Sequence, residues 1–408
     1  MMNFEKKLND YAKLIVNIGI QVKDGDSVVI DCPLERADFG KLLAKNSYEA
    51  GAHKVRVDWS DDDLTLMAMT HSPVEVLEDI PQHKYDEMEY LYKKGSKFIK
   101  VYATDPELLK DIDPEKVSRV TLARSKKFEP LIHYMMNDIC SWCVVSVPTD
   151  GWAKKVFPNS EKPVEDMWEA IFKTTRINTQ DPVKAWRDHL NLLTEKANWL
   201  NENNFKYLEY KASNGTDFTL ELAEGHIWCA ASSKNAEGDQ FVPNMPTEEV
   251  FTMPHKYGVN GKVFSSKPLA YNGNVIDEFY LEFKDGRVVD FDAKIGYETL
   301  KSIFDQDDRA RYLGEVALVP YDSPISNSNI LFFNTLFDEN ASCHLAFGKA
   351  YPTTIKNGEN MPKEEFDKHG INDSYIHEDF MVGTSDLSIV GIKHDGTRVQ
   401  IFKDGNWA

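Results

Sequence analysis

Apolar positions in the first half of the chain change period every ten to twenty residues. Phe4, Leu8, Tyr11, Leu14, Ile15 and Ile18 follow helical spacing and outline an amphipathic helix. The turn Lys23-Asp24-Gly25-Asp26 follows, then a short apolar strand, Ser27-Val28-Val29-Ile30-Asp31. A helix is expected over Arg36–Glu49, closed by Gly51, and a strand over Lys54–Trp59, where Val55, Val57 and Trp59 share one face. Further strands are expected at Phe98–Tyr102, Arg119–Leu122 and Trp142–Val147, with helical segments between them. This alternation points to a mostly parallel sheet covered by helices. Two longer helical patterns, near Pro163–Phe172 and Pro182–Leu200, carry the chain onward; Asp181-Pro182 has the form of a helix cap followed by proline in the first turn.

The pattern then shifts. Only six of the 22 glycines precede residue 206. The second half divides into short strands, among them Tyr207–Lys211, Asp217–Leu222, Glu278–Phe283, Val288–Ala293 and Ser388–Lys393. Turn signals such as Asn214-Gly215, Asp285-Gly286 and Asp395-Gly396 separate strands, and a helix is expected near Gly296–Phe304. The expected organisation is therefore an α/β domain over residues 1–205 and an α+β domain over 206–408 with a curved, barrel-like sheet.

Composition narrows the function. Sixty-six acidic and 47 basic residues leave a formal charge of −19, which disfavours binding to nucleic-acid phosphates or anionic lipid. The longest apolar stretches, Asn329–Phe337 and Cys143–Val147, fall far short of the roughly 20 residues that a membrane span needs. The start of the chain carries charges at Glu5, Lys6 and Lys7, where a signal peptide would be apolar. Five scattered cysteines suggest no disulfide framework, and a cytoplasmic setting is expected.

Several familiar sites are excluded. No two glycines lie two positions apart, so a GxGxxG dinucleotide loop cannot form, and the phosphate loop, the HExxH helix and the GxSxG elbow are absent. Cys140-Ser141-Trp142-Cys143 matches CxxC, but with no second pair it reads better as buried thiols at the start of a strand.

Four polar clusters in the second half ask for chemistry. Glu248 and Glu249 follow the double-proline loop Pro243–Pro246. Glu315 interrupts the apolar run Leu313–Val319. Asp338, Glu339 and His344 fall within seven positions. In Ile376–Gly383, His377 and Asp379 would project from one face of a strand. A lone carboxylate in an apolar strand is costly unless it is protonated, paired or bound to a cation. Taken singly, each cluster has an ordinary structural explanation. Together, acids and imidazoles with few intervening bases suit Zn²⁺, Co²⁺ or Mn²⁺, and five or six ligands exceed a single tetrahedral site.

The segments Asn244–His255, Leu313–Val319, Thr335–Ala341 and His377–Gly383 resemble, in the same order, the motifs of the thermophilic-type metalloaminopeptidases, peptidase family M29. The resemblance implies removal of the N-terminal residue from peptides by a pair of divalent ions (zinc, cobalt or manganese) and a metal-activated water. Carried onto this sequence, it implies the ligands Glu249, Glu315, His344, His377 and Asp379, with Glu315 bridging and Glu339 as a further ligand or supporting group. It implies a role for Tyr351 beside the developing oxyanion. Glu248 is a candidate proton shuttle or, equally, a structural residue. Peptides with a free N-terminus would be the substrates and a homodimer the assembly, with no nucleic-acid or membrane partner. The alternative is another dinuclear amide or phosphoester hydrolase.

Overall fold

A computed structural model describes residues 4–271 and 274–408. The chain forms two compact units, Met1–Asp188 with Ser232–Pro246, and His189–Ala231 with Thr247–Ala408.

The first unit is built on a four-stranded, all-parallel sheet in the order β2-β1-β3-β4, where β1 is Ser27–Pro33, β2 Lys54–Ser60, β3 Lys97–Val101 and β4 Trp142–Val145. Parallel neighbours need long crossovers, and helices such as Ala37–Glu49 supply them. Val28, Ile30, Ile99 and Val145 are buried, as are Tyr11, Phe39 and Phe172 of the flanking helices. Tyr11 stacks on Phe39 with ring centroids 5.4 Å apart. Both thiols of the CxxC pair are buried in this unit, and Cys143 lies against Gly19.

One expected strand is a helix. Arg119–Leu122 lies inside the helix Pro114–Met136. Its β-branched run looks extended in isolation. The helix start outweighs that local preference: Asp113 accepts a hydrogen bond from the Glu115 N–H (2.9 Å) and Pro114 sits in the first turn.

The second unit holds a nine-stranded antiparallel sheet. Its strands run in the order Leu269–Tyr271, Asn274–Lys284, Pro254–Phe264, Asp217–Leu222, Phe205–Lys211, Ser388–Lys393, Arg398–Lys403 and Asn406–Trp407, with Arg287–Ile295 also paired to Asn274–Lys284. Among the described residues the terminal strands do not pair with each other, so the sheet is open, and the expected barrel-like closure is not formed. Several register shifts interrupt its ladders, and such bulges bend strands.

A second, four-stranded antiparallel sheet covers it. We label its strands β5 (Val250–Thr252), β6 (Leu313–Leu318), β7 (His344–Gly348) and β8 (His377–Met381); the order is β8-β7-β6-β5. Val316, Leu318, Leu345, Phe347 and Phe380 of this sheet share one core with Phe205, Leu208, Phe218, Leu220 and Phe279. Phe347 and Phe380 stack at 4.4 Å, and Phe304 meets Phe347 edge-on at 5.1 Å. One face of the smaller sheet is thereby committed to packing.

Candidate metal centre

The other face of that sheet carries the acids and imidazoles. Residues directly opposite in an antiparallel pair share a face, and side chains alternate along each strand. Glu315 is paired with Ala346 and Ala317 with His344, while Ala346 is paired with Asp379 and Gly348 with His377. Ala317 is also paired with Phe251, two positions beyond Glu249. Register alone therefore puts Glu315, His344, His377 and Asp379 on one face, with Glu249 entering at its edge.

A bulge decides the matter for Glu315. Leu313 pairs with Phe347, both in the core, but Glu315 pairs with Ala346 rather than Leu345 because the register shifts by one between them. Without the shift Glu315 would point into the apolar core. The residue in the bulge is Gly314, where a Cβ would lie 2.3 Å from the Lys349 carbonyl oxygen and 2.5 Å from that of Gly348. Only glycine permits so close an approach, and the bulge re-aims the next side chain.

The side chains converge. His344 Nε2 lies 3.0 Å from Glu249 Oε2 and 3.6 Å from Glu315 Oε1. His377 Nε2 lies 3.6 Å from both Glu315 Oε2 and Asp379 Oδ1. Two groups of potential ligands result, Glu249–Glu315–His344 and Glu315–His377–Asp379, each with its ligand atoms within 4.8 Å of one another. Glu315 belongs to both. The far ring nitrogens are held by backbone: His344 Nδ1 donates to the Ser342 carbonyl (3.2 Å) and His377 Nδ1 to that of Lys349 (2.7 Å). A carbonyl only accepts, so each imidazole keeps its proton on Nδ1 and turns Nε2 toward the carboxylates.

The electrostatics are those of a site for cations. Glu249, Glu315, Glu339, His344 and Asp379 are buried. Among the described residues none of these acids pairs with lysine or arginine; their charged partners are the two histidines. Like charges about 4 Å apart cost about 4 kcal/mol at an effective dielectric near 20. Burial pushes the Glu315 carboxyl up to about 7, against the pull of His344 and with the help of Asp379. Burial also drives Glu339 well up, with the charges of Asp379 and Glu249 adding to it. Burial opposes a charged His377, but Asp379 and Glu315 outweigh it and lift the imidazole to about 10. The cluster thus favours any positive charge brought to its centre.

Asp379 Oδ1 adds a more specific sign, being buried with no hydrogen-bond partner. A carboxylate oxygen of this kind is costly unless something accepts its lone pairs. With two imidazole nitrogens and several carboxylate oxygens around it, the donor set fits a divalent transition metal.

The remaining residues of interest surround this face. Glu339 accepts from Asn340 Nδ2 at 3.2 Å, and its charge and that of Asp379 oppose each other. Asp338 is turned elsewhere: its carboxylate takes the Phe332 N–H (2.8 Å) and the Asn334 N–H (3.0 Å), bracing the loop that leads into Glu339. The Tyr351 ring meets His377 edge-on at 4.7 Å. Glu248 and Glu249 diverge. Glu249 joins His344, whereas Glu248 Oε2 sits 3.5 Å from His189 Nε2, whose ring nitrogen is also 2.8 Å from the Thr247 carbonyl oxygen. Sequence reasoning did not reach His189, Asn340 or the two carbonyls that orient the histidines. A lone histidine on a helix and a lone asparagine carry no pattern, and a backbone carbonyl carries no sequence signal.

The fold carries a buried carboxylate–imidazole cluster that could hold a metal ion. The chain matches the thermophilic metalloprotease family (M29) over residues 4–407, and it belongs to that family. It is thus a hydrolase of peptide bonds that works with divalent metal. It is 48% identical over 410 residues to Aminopeptidase 2 of Geobacillus stearothermophilus, covering 100% of this chain and 99% of that one. To Aminopeptidase T of Thermus aquaticus it is 39% identical over 407 residues, covering 99% of each. The solved structure of wild-type AmpT from Thermus thermophilus superimposes with a TM-score of 0.94 at 37% identity, over the full length of both chains.

Proposed function

We propose that this chain is a metal-dependent aminopeptidase that acts through a dinuclear site. One observation carries the dinuclear reading: Glu315 is common to two separate groups of potential ligands. Glu249, Glu315 and His344 would hold one ion and Glu315, His377 and Asp379 the other, with Glu339 as a further ligand or support. The charges agree. Four carboxylates with two neutral imidazoles are balanced by two divalent cations. Zinc, cobalt and manganese all suit these donors.

Bound there, the ions would supply Lewis acidity, making water a nucleophile near neutral pH and polarising a carbonyl. The chain's own residues do the rest. Carboxylates of the cluster attract the free α-amine of a peptide, which restricts attack to the first residue. The Tyr351 phenol donates a hydrogen bond to the oxygen on which charge develops. Glu248, supported by His189, carries a proton toward the leaving amine. The Nδ1 bonds to Ser342 and Lys349 keep both imidazoles in the ligating tautomer. The five free thiols fit a reducing, cytoplasmic setting, and the homodimer belongs to this same family-based reading.

The phosphoester alternative wants free bases beside the ligands. The nearby Lys349 is instead 3.4 Å from Asp373 Oδ1. The test compares aminoacyl p-nitroanilides, their N-acetylated forms and phenyl phosphates, with and without a chelator. The expected result is hydrolysis of the free-amine anilides alone, lost on chelation and restored by zinc, cobalt or manganese. Hydrolysis of phenyl phosphate with no turnover of any anilide would contradict the proposal.

A further inference from the structure

Asn340 lies at the junction of two acid-bearing segments and is completely buried. Its Oδ1 accepts the Glu248 N–H at 2.7 Å. Its Nδ2 has two hydrogens and two acceptors, the Leu336 carbonyl at 3.2 Å and Glu339 Oε1 at 3.2 Å. No side-chain hydrogen is left over. The Oδ1 contact fixes the turn from which Glu249 enters the centre. The Nδ2 contact aims the Glu339 carboxylate, whose charge opposes that of the neighbouring Asp379.

We propose that Asn340 is a positioning residue for the metal centre: its side-chain amide ties the Glu248–Glu249 turn to the Glu339 carboxylate and sets the acids in place before an ion arrives. The proposal rests on the metal reading above. An amide is the group this place requires, since it accepts from a backbone N–H and donates to a carboxylate at once. A carboxylate here would keep the first contact, lose the donors and add a negative charge beside Glu339. An apolar residue would lose all three contacts. Fixing ligands in advance removes ordering cost from binding, and groups that orient metal ligands typically change affinity by roughly 10- to 100-fold when lost.

The test is zinc affinity, measured by competition with a chromophoric chelator, for the wild type, Asn340→Asp, Asn340→Ala and the control Asn46→Asp. Asn46 is also a buried asparagine, bonded through Nδ2 to Asn9 Oδ1 (3.3 Å) and to the Leu42 carbonyl (2.9 Å) in the other unit. The expected result is zinc binding weakened at least tenfold in both Asn340 variants, with the control losing thermal stability at unchanged affinity. Wild-type affinity in a folded Asn340 variant would overturn the assignment. A wild-type chain that takes up no zinc would instead overturn the metal reading itself. Hydrogen exchange on the metal-free wild type needs no variant: the Glu248 amide is expected to be protected, and exchange at the rate of an open loop would overturn the proposal.

Discussion

Each unit of the chain gathers a group of acids, and the two groups are neutralised differently. In the first unit Lys97 is buried on the parallel sheet, with its Nζ 2.9 Å from Asp26 Oδ2, 3.4 Å from Asp239 Oδ2 and 2.7 Å from the Gln21 carbonyl oxygen. The fold supplies that cation from its own sequence. On the antiparallel sheet of the second unit, Glu249, Glu315, Glu339 and Asp379 meet two histidines and, among the described residues, pair with no lysine or arginine. A structural ion pair closes on itself. A centre built for an external cation leaves the acids to be balanced by what binds.

The sharpest way to break this contrast is Glu315→Gln. It removes the carboxylate shared by both ligand groups at nearly constant volume. Metal uptake and at least about 10³-fold of peptidase turnover should be lost while circular dichroism shows an intact fold. Retained metal and turnover would remove Glu315 from the centre. Gly314→Ala attacks the same group through the backbone. The added methyl forces the bulge to shift, and metal affinity should fall at a stability cost of about 1–3 kcal/mol, read by chelator competition and urea unfolding.

Lys97→Met tests the other side. It takes the buried cation away from Asp26 and Asp239 and should destabilise the first unit by about 3 kcal/mol while zinc affinity stays at the wild-type value. The smallest effect concerns His226, whose imidazole is held below its ordinary value by burial, against the bond from Nδ1 to the Ala223 carbonyl (2.9 Å). The unfolded chain takes up this proton near pH 6.5 and the folded chain only at lower pH. Stability from this group is therefore complete above the unfolded value and falls as pH drops through the folded one. The melting temperature should decline less between about pH 7.5 and 5.5, roughly one unit either side of that titration, in His226→Gln than in the wild type.

Much of the architecture was legible because period is a direct imprint of burial. The apolar run that placed β1 lies in the core through Val28, Val29 and Ile30, and the turn-divided strands of the second half follow the same rule. The segment Arg119–Leu122 was misread because four residues carry no information about a cap further upstream at Asp113. The open edge of the nine-stranded sheet depends on which strands pair, which no local pattern states. At the candidate centre, Glu315 stood out because a carboxylate in an apolar run needs an explanation. That it faces His344 rather than Phe347 depends on the one-residue bulge at Gly314. Glu248 and Glu249 were indistinguishable as neighbours; His189 and His344 separate them in space. Asn340 was invisible because its chemistry lies in three contacts, none of them local in pattern.

If the acid-and-imidazole face of the small antiparallel sheet binds metal, it does so around the shared Glu315. Anomalous diffraction from crystals soaked in zinc addresses this most directly. Two peaks are expected flanking the Glu315 carboxylate, one beside His344 and Glu249, the other beside His377 and Asp379. Density for zinc elsewhere, with none at Glu315, would contradict this.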